Sequence, residues 1–285
     1  MEILRDKAII LRVRNPKQIT TAIPNSKELP MNKVVVKWGL DEVLSLRSLN
    51  INAPSPITKR YSWPGQYTPF DHQKDTASFM TLNKKSFCFN EQGTGKTASA
   101  IWAADYLMTQ GKVKRVLVVC PLSIMDSAWR NDLFSFAMHR TVDVAHGGKE
   151  KRKKIINSGA EFVIINYDGV EVVKDEIAAG GFDLFIVDEA THYKNAQTKR
   201  WKTLNKLVKE DDWLWMMTGT PAAQSPVDAY GLAKLVNPLS VPRFFGAWRD
   251  MVMHKITQFT YKPKETAKDS VHHVLQPAIR FTKDE

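Results

Sequence analysis

Three short clusters carry residue types suited to phosphate chemistry. The first is Gly93-Thr94-Gly95-Lys96-Thr97. Glycines let successive backbone N–H groups turn toward one point, and a helix starting there adds the positive end of its dipole. Lys96 would reach the β and γ phosphates as a point charge, and the Thr97 hydroxyl would hold Mg²⁺. The longer phosphate-loop pattern places a glycine at position 90, where this chain has Asn90, so the match is to the shorter G-x-G-K-T form. A glycine turn capping a helix would use the same residues. The second cluster is Asp188-Glu189, an acid pair that is costly at the tip of a buried strand unless a cation lies opposite. Mg²⁺ shared with Thr97 would supply that cation. Asp188 would then bind the metal, and Glu189 would orient and polarise an attacking water. An acid pair at a helix N-terminus is the competing reading. The third is Thr218-Gly219-Thr220-Pro221, whose hydroxyls could relay the state of a nucleotide to a bound polymer, or form a polar turn before a helix.

These clusters need a scaffold, and the chain supplies alternating strands and helices from Tyr67 onward. Helix is expected from Phe70 to Leu82, Thr97 to Thr109, Ser123 (as cap) to Phe136, Lys149 to Asn157, Val170 to Ala179, Ala196 to Val208 and Pro226 to Val236. Strands are expected at Phe87–Phe89, Val116–Cys120, Thr141–Ala145, Phe162–Asn166, Asp183–Val187 and Trp213–Met217. This alternation predicts a parallel sheet with helices on both faces. Ligands of such sheets bind beyond the carboxyl ends of the strands, and each cluster falls at such an end. Residues 1–66 differ. Basic-edged strands at Lys7–Arg14 and Lys33–Trp38, a helix from Gly39 to Leu49, and the Pro-rich Ala53-Pro54-Ser55-Pro56 suggest a small β-rich accessory unit and a linker.

The 285 residues allow one large α/β domain and a small partner, and 43% hydrophobic with 25% charged residues suits an ordinary soluble core. No apolar run of about 18 residues is present, which argues against a membrane span. The start lacks the apolar stretch of a secretory signal. Cys88 and Cys120 lie in apolar runs and read as buried thiols, which gives no sign of an oxidising compartment or a cysteine metal site. The net charge of +11 is uneven: residues 1–66 have 11 Lys/Arg against 5 Asp/Glu, and residues 239–285 have 8 against 5. Basic ends favour a polyanionic partner, although charge for solubility would look similar.

The ordered motifs resemble the first motor domain of Swi/Snf-type ATPases in helicase superfamily two. The family's D-E-M-G-L-G-K-T resembles Asn90 to Thr97. Its C-P-L-S-L and downstream Trp resemble Cys120-Pro121-Leu122-Ser123-Ile124 and Trp129. Its strand ending in S/N-Y resembles Ile164-Ile165-Asn166-Tyr167, its D-E-A-H-x-x-K-N resembles Asp188 to Asn195, and its L-T-G-T-P resembles Met217 to Pro221. His72-Gln73 is similar to a pair whose glutamine contacts adenine, and Leu235-Val236-Asn237-Pro238 to an L-L-N-P stretch. The chain departs at Asn90, at Thr191 where the family has His (with His192 one place on), and at Ala223 where it has Gln. Either the coupling to the DNA track runs differently here, or His192 and Gln224 substitute. The resemblance spans about residues 67–285.

The resemblance implies a RecA-like P-loop fold for residues 63–285 beside an accessory domain at 1–62. It implies ATP and Mg²⁺ as cofactors, with Gln73, Gly93, Thr94, Gly95, Lys96 and Thr97 at the nucleotide. Lys96, Asp188 and Glu189 would be catalytic, Thr97 and Asp188 metal-binding, and Thr218, Gly219 and Thr220 the coupling segment. Pro121, Ser123, Arg130, His146, Lys149 and Asn166 would grip the backbone of double-stranded DNA without reading bases. The basic run Lys149 to Lys154 is either part of that grip or a solvated helix face. Phe244, Phe245 and Trp248 are expected in the core. Arg280-Phe281-Thr282-Lys283 resembles the segment leading into a second motor lobe, which would supply in cis the arginines that finish hydrolysis. The chain alone is therefore expected to bind nucleotide weakly, hydrolyse it slowly and not translocate. Compact phage or bacterial members are the most similar in plan, which implies a cytoplasmic protein. A strand-separating helicase, or a DNA-binding module without significant hydrolysis, are the alternatives.

Overall fold

The computed structural model describes residues 1–220, 225–258 and 260–284. Pro221, Ala223 and Gln224 lie outside the described residues. Residues 1–48 form a four-stranded antiparallel sheet with two helices. Its strands are β1 (Glu2–Leu4), β2 (Ala8–Arg12), β3 (Ser26–Leu29) and β4 (Lys33–Lys37), in the order β1-β2-β4-β3. Helices α1 (Pro16–Ala22) and α2 (Leu40–Ser48) cover it, and Ile9, Leu11, Ile19, Val34, Val36 and Trp38 fill the space between. The alternation in β2 and β4 puts one set of side chains inward and Arg12, Lys33 and Lys37 outward. The exposed strands β1 and β3 have no such alternation to announce them. The short helix α3 (Ile57–Arg60) and the following Tyr61 and Trp63 lead across. Trp63 meets Trp102 edge-on, the Trp102 indole N–H donates to Pro64 O at 2.9 Å, and Ser55 and Thr81 share a buried hydroxyl–hydroxyl bond.

The larger sheet is parallel throughout, with seven strands. They are β5 (Lys85–Cys88), β6 (Val116–Cys120), β7 (Val142–Ala145), β8 (Phe162–Asn166), β9 (Leu184–Asp188) and β10 (Trp213–Met217), then β13 (Ala278–Ile279) after a two-stranded hairpin of β11 (Met253–Lys255) and β12 (Tyr261–Pro263). The order is β13-β5-β10-β9-β6-β8-β7. Alternate residues of one strand serve different cores: Leu117 and Val119 of β6 pack on one face, Val116, Val118 and Cys120 on the other. That is why the central strands are apolar runs rather than alternating ones. Helices α4 (Asp71–Leu82), α5 (Lys96–Thr109) and α6 (Asn131–Phe136) cover the second face. The first is covered by α7 (Lys149–Ile156), α8 (Tyr167–Val172), α9 (Lys174–Ala179), α10 (Lys199–Leu207), α11 (Ala229–Val236), α12 (Phe245–Val252) and α13 (Ala267–Val274). The α/β reading, with helices on both faces and a small antiparallel sheet at the N-terminus, is what the structure has.

Several expectations change in detail. The helix from Ser123 to Phe136 is not continuous. A 3₁₀ turn (Leu122–Ile124) and a π-helical turn (Met125–Arg130) precede α6, so Ser123 sits inside the first turn and caps nothing. The helix from Val170 to Ala179 begins earlier and breaks at Val173 between α8 and α9. Trp248 is fully buried, but Phe244 is 68% and Phe245 41% exposed, against their expected place in the core. Phe244 precedes the helix with extended backbone and so misses its buried face; Arg243 lies over its ring instead. Among the described residues no helix is long and apolar enough to cross a membrane. Both cysteines are free and buried, and burial raises the Cys88 thiol to about 11 and the Cys120 thiol further, which removes them from thiolate chemistry.

Candidate functional site

Beyond β5 the chain turns through Gly93 (φ +91°) and Gly95 (φ +78°), conformations that side chains resist, and enters α5 at Lys96. A Cβ on Gly95 would meet the Gln73 amide and push it from its place against the loop. The first turn of α5 has no side-chain cap, which leaves its N–H groups directed at the loop. Lys96 Nζ donates to Glu91 O at 3.2 Å, and Thr94 Oγ1 donates to the same carbonyl at 2.8 Å. The Thr94 carbonyl faces α4, where it accepts from His72 Nε2 at 2.9 Å and from Gln73 Nε2 at 3.3 Å. Gln73 Oε1 in turn accepts the Phe70 N–H, and the Phe70 and His72 rings stack. The loop is thereby held from the α4 side by the aromatic-His-Gln segment.

Neighbouring strands bring the other clusters alongside. The β5–β10 and β10–β9 pairings align Cys88 with Met217 and Met217 with Asp188. Asp188 is 8% exposed, and both its oxygens are engaged: Trp129 Nε1–H donates to Oδ2 at 2.9 Å and the Glu189 N–H to Oδ1 at 3.0 Å. Burial nevertheless holds its carboxyl above the usual range, with the Trp129 and Glu189 bonds and the Lys96 charge opposing. Glu189 follows in left-handed backbone, φ 52° and ψ 58°. Thr218 is fully buried; its N–H donates to Cys88 O, and its Oγ1 accepts from the Thr220 N–H. A Cβ on Gly219 would stand 3.7 Å from Asn90 O, so the segment runs against the phosphate loop.

These tips surround one cleft of about 990 Å³. Gln73, Gly93, Gly95, Lys96 and Thr97 line it, as do Asp188, Glu189, Gly219 and Thr220. Thr94 and Thr218 stand behind the wall. Pro121 and Ser123 lie on the rim, whereas Arg130, His146, Lys149 and Asn166 are outside the cleft near the β6, β7 and β8 ends. Of these, Arg130, His146 and Lys149 are exposed, and Arg130 pairs with Asp126. Asn166 is already engaged: its Oδ1 accepts from Arg152, which also donates to Ala145 O and Gly147 O and is itself buried. The basic run therefore splits, with Lys149, Lys151 and Lys154 outward, Arg152 inward and Lys153 paired with Glu150 and Glu176. A smaller hollow between α9 and α10 has no strand tip among its lining residues.

The donor set fits a nucleotide with Mg²⁺. Two glycine turns, an ammonium and uncapped helix N–H groups suit phosphate, and the Thr97 hydroxyl with the Asp188 carboxylate suits a hard cation. Among the described residues no group of three His, Cys, Asp or Glu side chains could hold a metal by itself. Mg²⁺ at this place would take its remaining ligands from phosphate and water, as that ion commonly does.

Sequence reasoning missed several participants. Tyr167 O–H donates to Asp188 O at 2.6 Å, and His192 packs on the Tyr167 ring at 4.5 Å, so His192 faces β8 rather than the Thr218 segment. Trp129 was visible as a motif residue, but its hold on Asp188 depends on the π-helical turn that aims it. Asn90, read as a departure, is fully buried and bridges Thr76 Oγ1 (2.8 Å) and the Phe281 N–H (3.0 Å). Arg280 and Lys283 also line the cleft.

A parallel sheet with a phosphate loop after one strand and an acidic pair two strands away defines the P-loop, RecA-like class. Residues 72–285 match the model of the SNF2-related domain, and the chain belongs to that family. Among proteins it resembles, the SWI/SNF-related matrix-associated actin-dependent regulator of chromatin subfamily A-like protein 1 of Xenopus laevis is 30% identical over 63% of this chain and 18% of its own length. The ATP-dependent helicase YqhH of Bacillus subtilis is 26% identical over 60% of this chain and 30% of its own. Protein p41 of Acyrthosiphon pisum secondary endosymbiont phage 1 is 26% identical over 60% of this chain and 39% of its own. The chain thus matches well under half the length of each. The Sulfolobus solfataricus SWI2/SNF2 ATPase core, solved in complex with double-stranded DNA, superposes with a TM-score of 0.64 at 22% identity, over 78% of this chain and 46% of that one; this likeness shows the fold.

Proposed function

We propose that the chain is the ATP-binding lobe of a DNA-dependent ATPase that translocates on or remodels double-stranded DNA. In this reading residues 1–62 are an accessory domain and 63–285 the first motor lobe. One observation carries it: the phosphate loop, the acid pair and the Thr218–Thr220 segment converge on one cleft from adjacent strand tips. Lys96 and the loop amides bind the phosphates of ATP. Thr97 and Asp188 hold Mg²⁺, which neutralises charge on the phosphate oxygens when bound. Trp129 fixes the Asp188 carboxylate, and Glu189 orients water and takes its proton. Gly219 and Thr220, at the tip of the strand between the phosphate loop and the acid pair, line the cleft itself, where they register its occupancy. The exposed Ser123, Arg130, His146 and Lys149 are the duplex contacts of the reading, and backbone contacts of this kind carry no sequence information. A second lobe, contributing arginines, is needed for full turnover.

The test is ATP hydrolysis with and without duplex DNA, for wild type and Glu189→Gln, in the 285-residue chain and with a second motor lobe supplied. DNA-stimulated turnover that appears with the second lobe and falls at least about 100-fold in the variant supports the motor. Background rates throughout, with DNA still bound, would leave a binding module. Displacement of one strand from a tailed duplex would replace translocase by helicase.

A further inference from the structure

The phosphate loop has a second support, on the side away from β10. Strand β13 pairs with β5, and the contact does not stop where the strand does. Phe87 N–H donates to Pro277 O at 3.0 Å, Phe89 N–H to Ile279 O at 2.8 Å, and Glu91 N–H to Phe281 O at 2.9 Å. Asn90 Oδ1 accepts the Phe281 N–H, and the Phe281 ring lies 5.8 Å from that of His72. Residues 277–281 are therefore fixed against residues 87–91, and the clamp uses the amide that departs from the acidic residue of related motifs. An amide donates to Thr76 and accepts from Phe281 without adding a negative charge beside the loop.

This docking sets two cations over the phosphate loop. Arg280 Nη2 lies 3.7 Å from Glu91 Oε1, with a side chain 59% exposed on the cleft side. The Lys283 Cε is 3.3 Å from where a Gly93 Cβ would be, and its N–H donates to the Glu91 carboxylate. Lys96, Arg280 and Lys283 thus share the cleft with Glu91, whose carboxylate holds the segment and whose carbonyl holds Lys96. Solvated tail lysines and arginines carry no such backbone register.

Resting on the ATP-site reading above, we propose that Arg280 and Lys283 are further nucleotide-binding residues, which reach the phosphate chain of the bound nucleotide from the β13 side opposite Glu189. Their contribution scales with phosphate charge and not with the nucleoside. Equilibrium binding of ATP, ADP and adenosine to the 285-residue chain in Mg²⁺ tests this, with Arg280→Ala, Lys283→Ala, the double variant, Arg280→Lys and Lys96→Ala. The double variant is expected to lose about 10-fold in ATP affinity, less for ADP and nothing for adenosine. The loss should shrink between about 50 and 500 mM salt, which a purely structural role would not produce. Arg280→Lys restores part of it, and an unchanged melting temperature excludes unfolding. Lys96→Ala abolishing ATP binding while the double variant binds like wild type overturns this proposal alone. ATP binding by none of the proteins overturns the ATP-site reading and this proposal with it.

Discussion

Glu189 sits in left-handed backbone, φ 52° and ψ 58°, where a side chain costs about 1–2 kcal/mol. The fold tolerates this because Asp188 on one side is fixed by Trp129 and by the Glu189 N–H itself, while Ala190 and Tyr193 on the other are fully buried. The consequence is a carboxylate turned into the cleft directly after a buried strand. Glycine adopts this conformation freely. Glu189→Gly is therefore expected to melt no lower than wild type, while removing the DNA-stimulated hydrolysis proposed for the chain with a second motor lobe supplied. Thermal unfolding and an ATPase assay on one preparation check both halves. A clear drop in melting temperature would mean that the glutamate side chain stabilises the fold and that the strain argument is wrong.

At the scale of elements, the parts legible in the sequence are those whose burial is complete. Val116–Cys120, Phe162–Asn166 and Trp213–Met217 are strands with those limits, because both faces of each are covered and the apolar run ends where the covering ends. The phosphate loop was legible because glycine spacing encodes backbone shape directly. What was not legible depends on distant partners. The role of Asn90 needs Phe281, far along the chain, and β13 is two residues long with no pattern of its own. The break at Val173 is another case: it lets α8 and α9 turn so that Glu171 meets Thr203 and Lys199 of α10 as well as Lys174. The Thr203 hydroxyl first, then the two lysines, hold the Glu171 carboxyl down at about 2. The folded value lies below the unfolded one of about 4.3, so this cluster stabilises the fold fully above that range. The contribution is lost as pH falls toward about 2. Glu171→Gln should thus lower the melting temperature by a few degrees at pH 7 and by progressively less from pH 4.5 down to 3. A gap that stays constant with pH would show that the cluster acts through packing rather than charge.

At the scale of the whole molecule, the question is how a chain of net charge +11 presents that charge to a polyanion. Part of it is internal. Arg152 is buried, Arg140 is tied to the buried Asp105 at 2.6 Å, and Arg115 bonds three backbone carbonyls. Among the outward cations, two groups stand out on the surface. On the small sheet Arg12 and Lys33 stand directly opposite one another across β2 and β4, a like-charge pairing that costs stability unless an anion lies between. At the strand-tip edge, Lys149, Lys151 and Lys154 of α7 face solvent beyond the exposed His146. Each lysine that neutralises a phosphate releases counterions, so the log–log salt slope of binding steepens by about 0.9 per contact on a duplex. Replacing the three α7 lysines by alanine is therefore expected to weaken duplex binding at low salt by about 10- to 100-fold and to flatten the slope by about 2–3, with ATP affinity unchanged. Fluorescence anisotropy of a labelled duplex across a salt series reads both quantities. A weaker complex with an unaltered slope would assign the loss to helix packing, and no change in either would place the polymer away from α7, leaving the small sheet as the basic surface to test next.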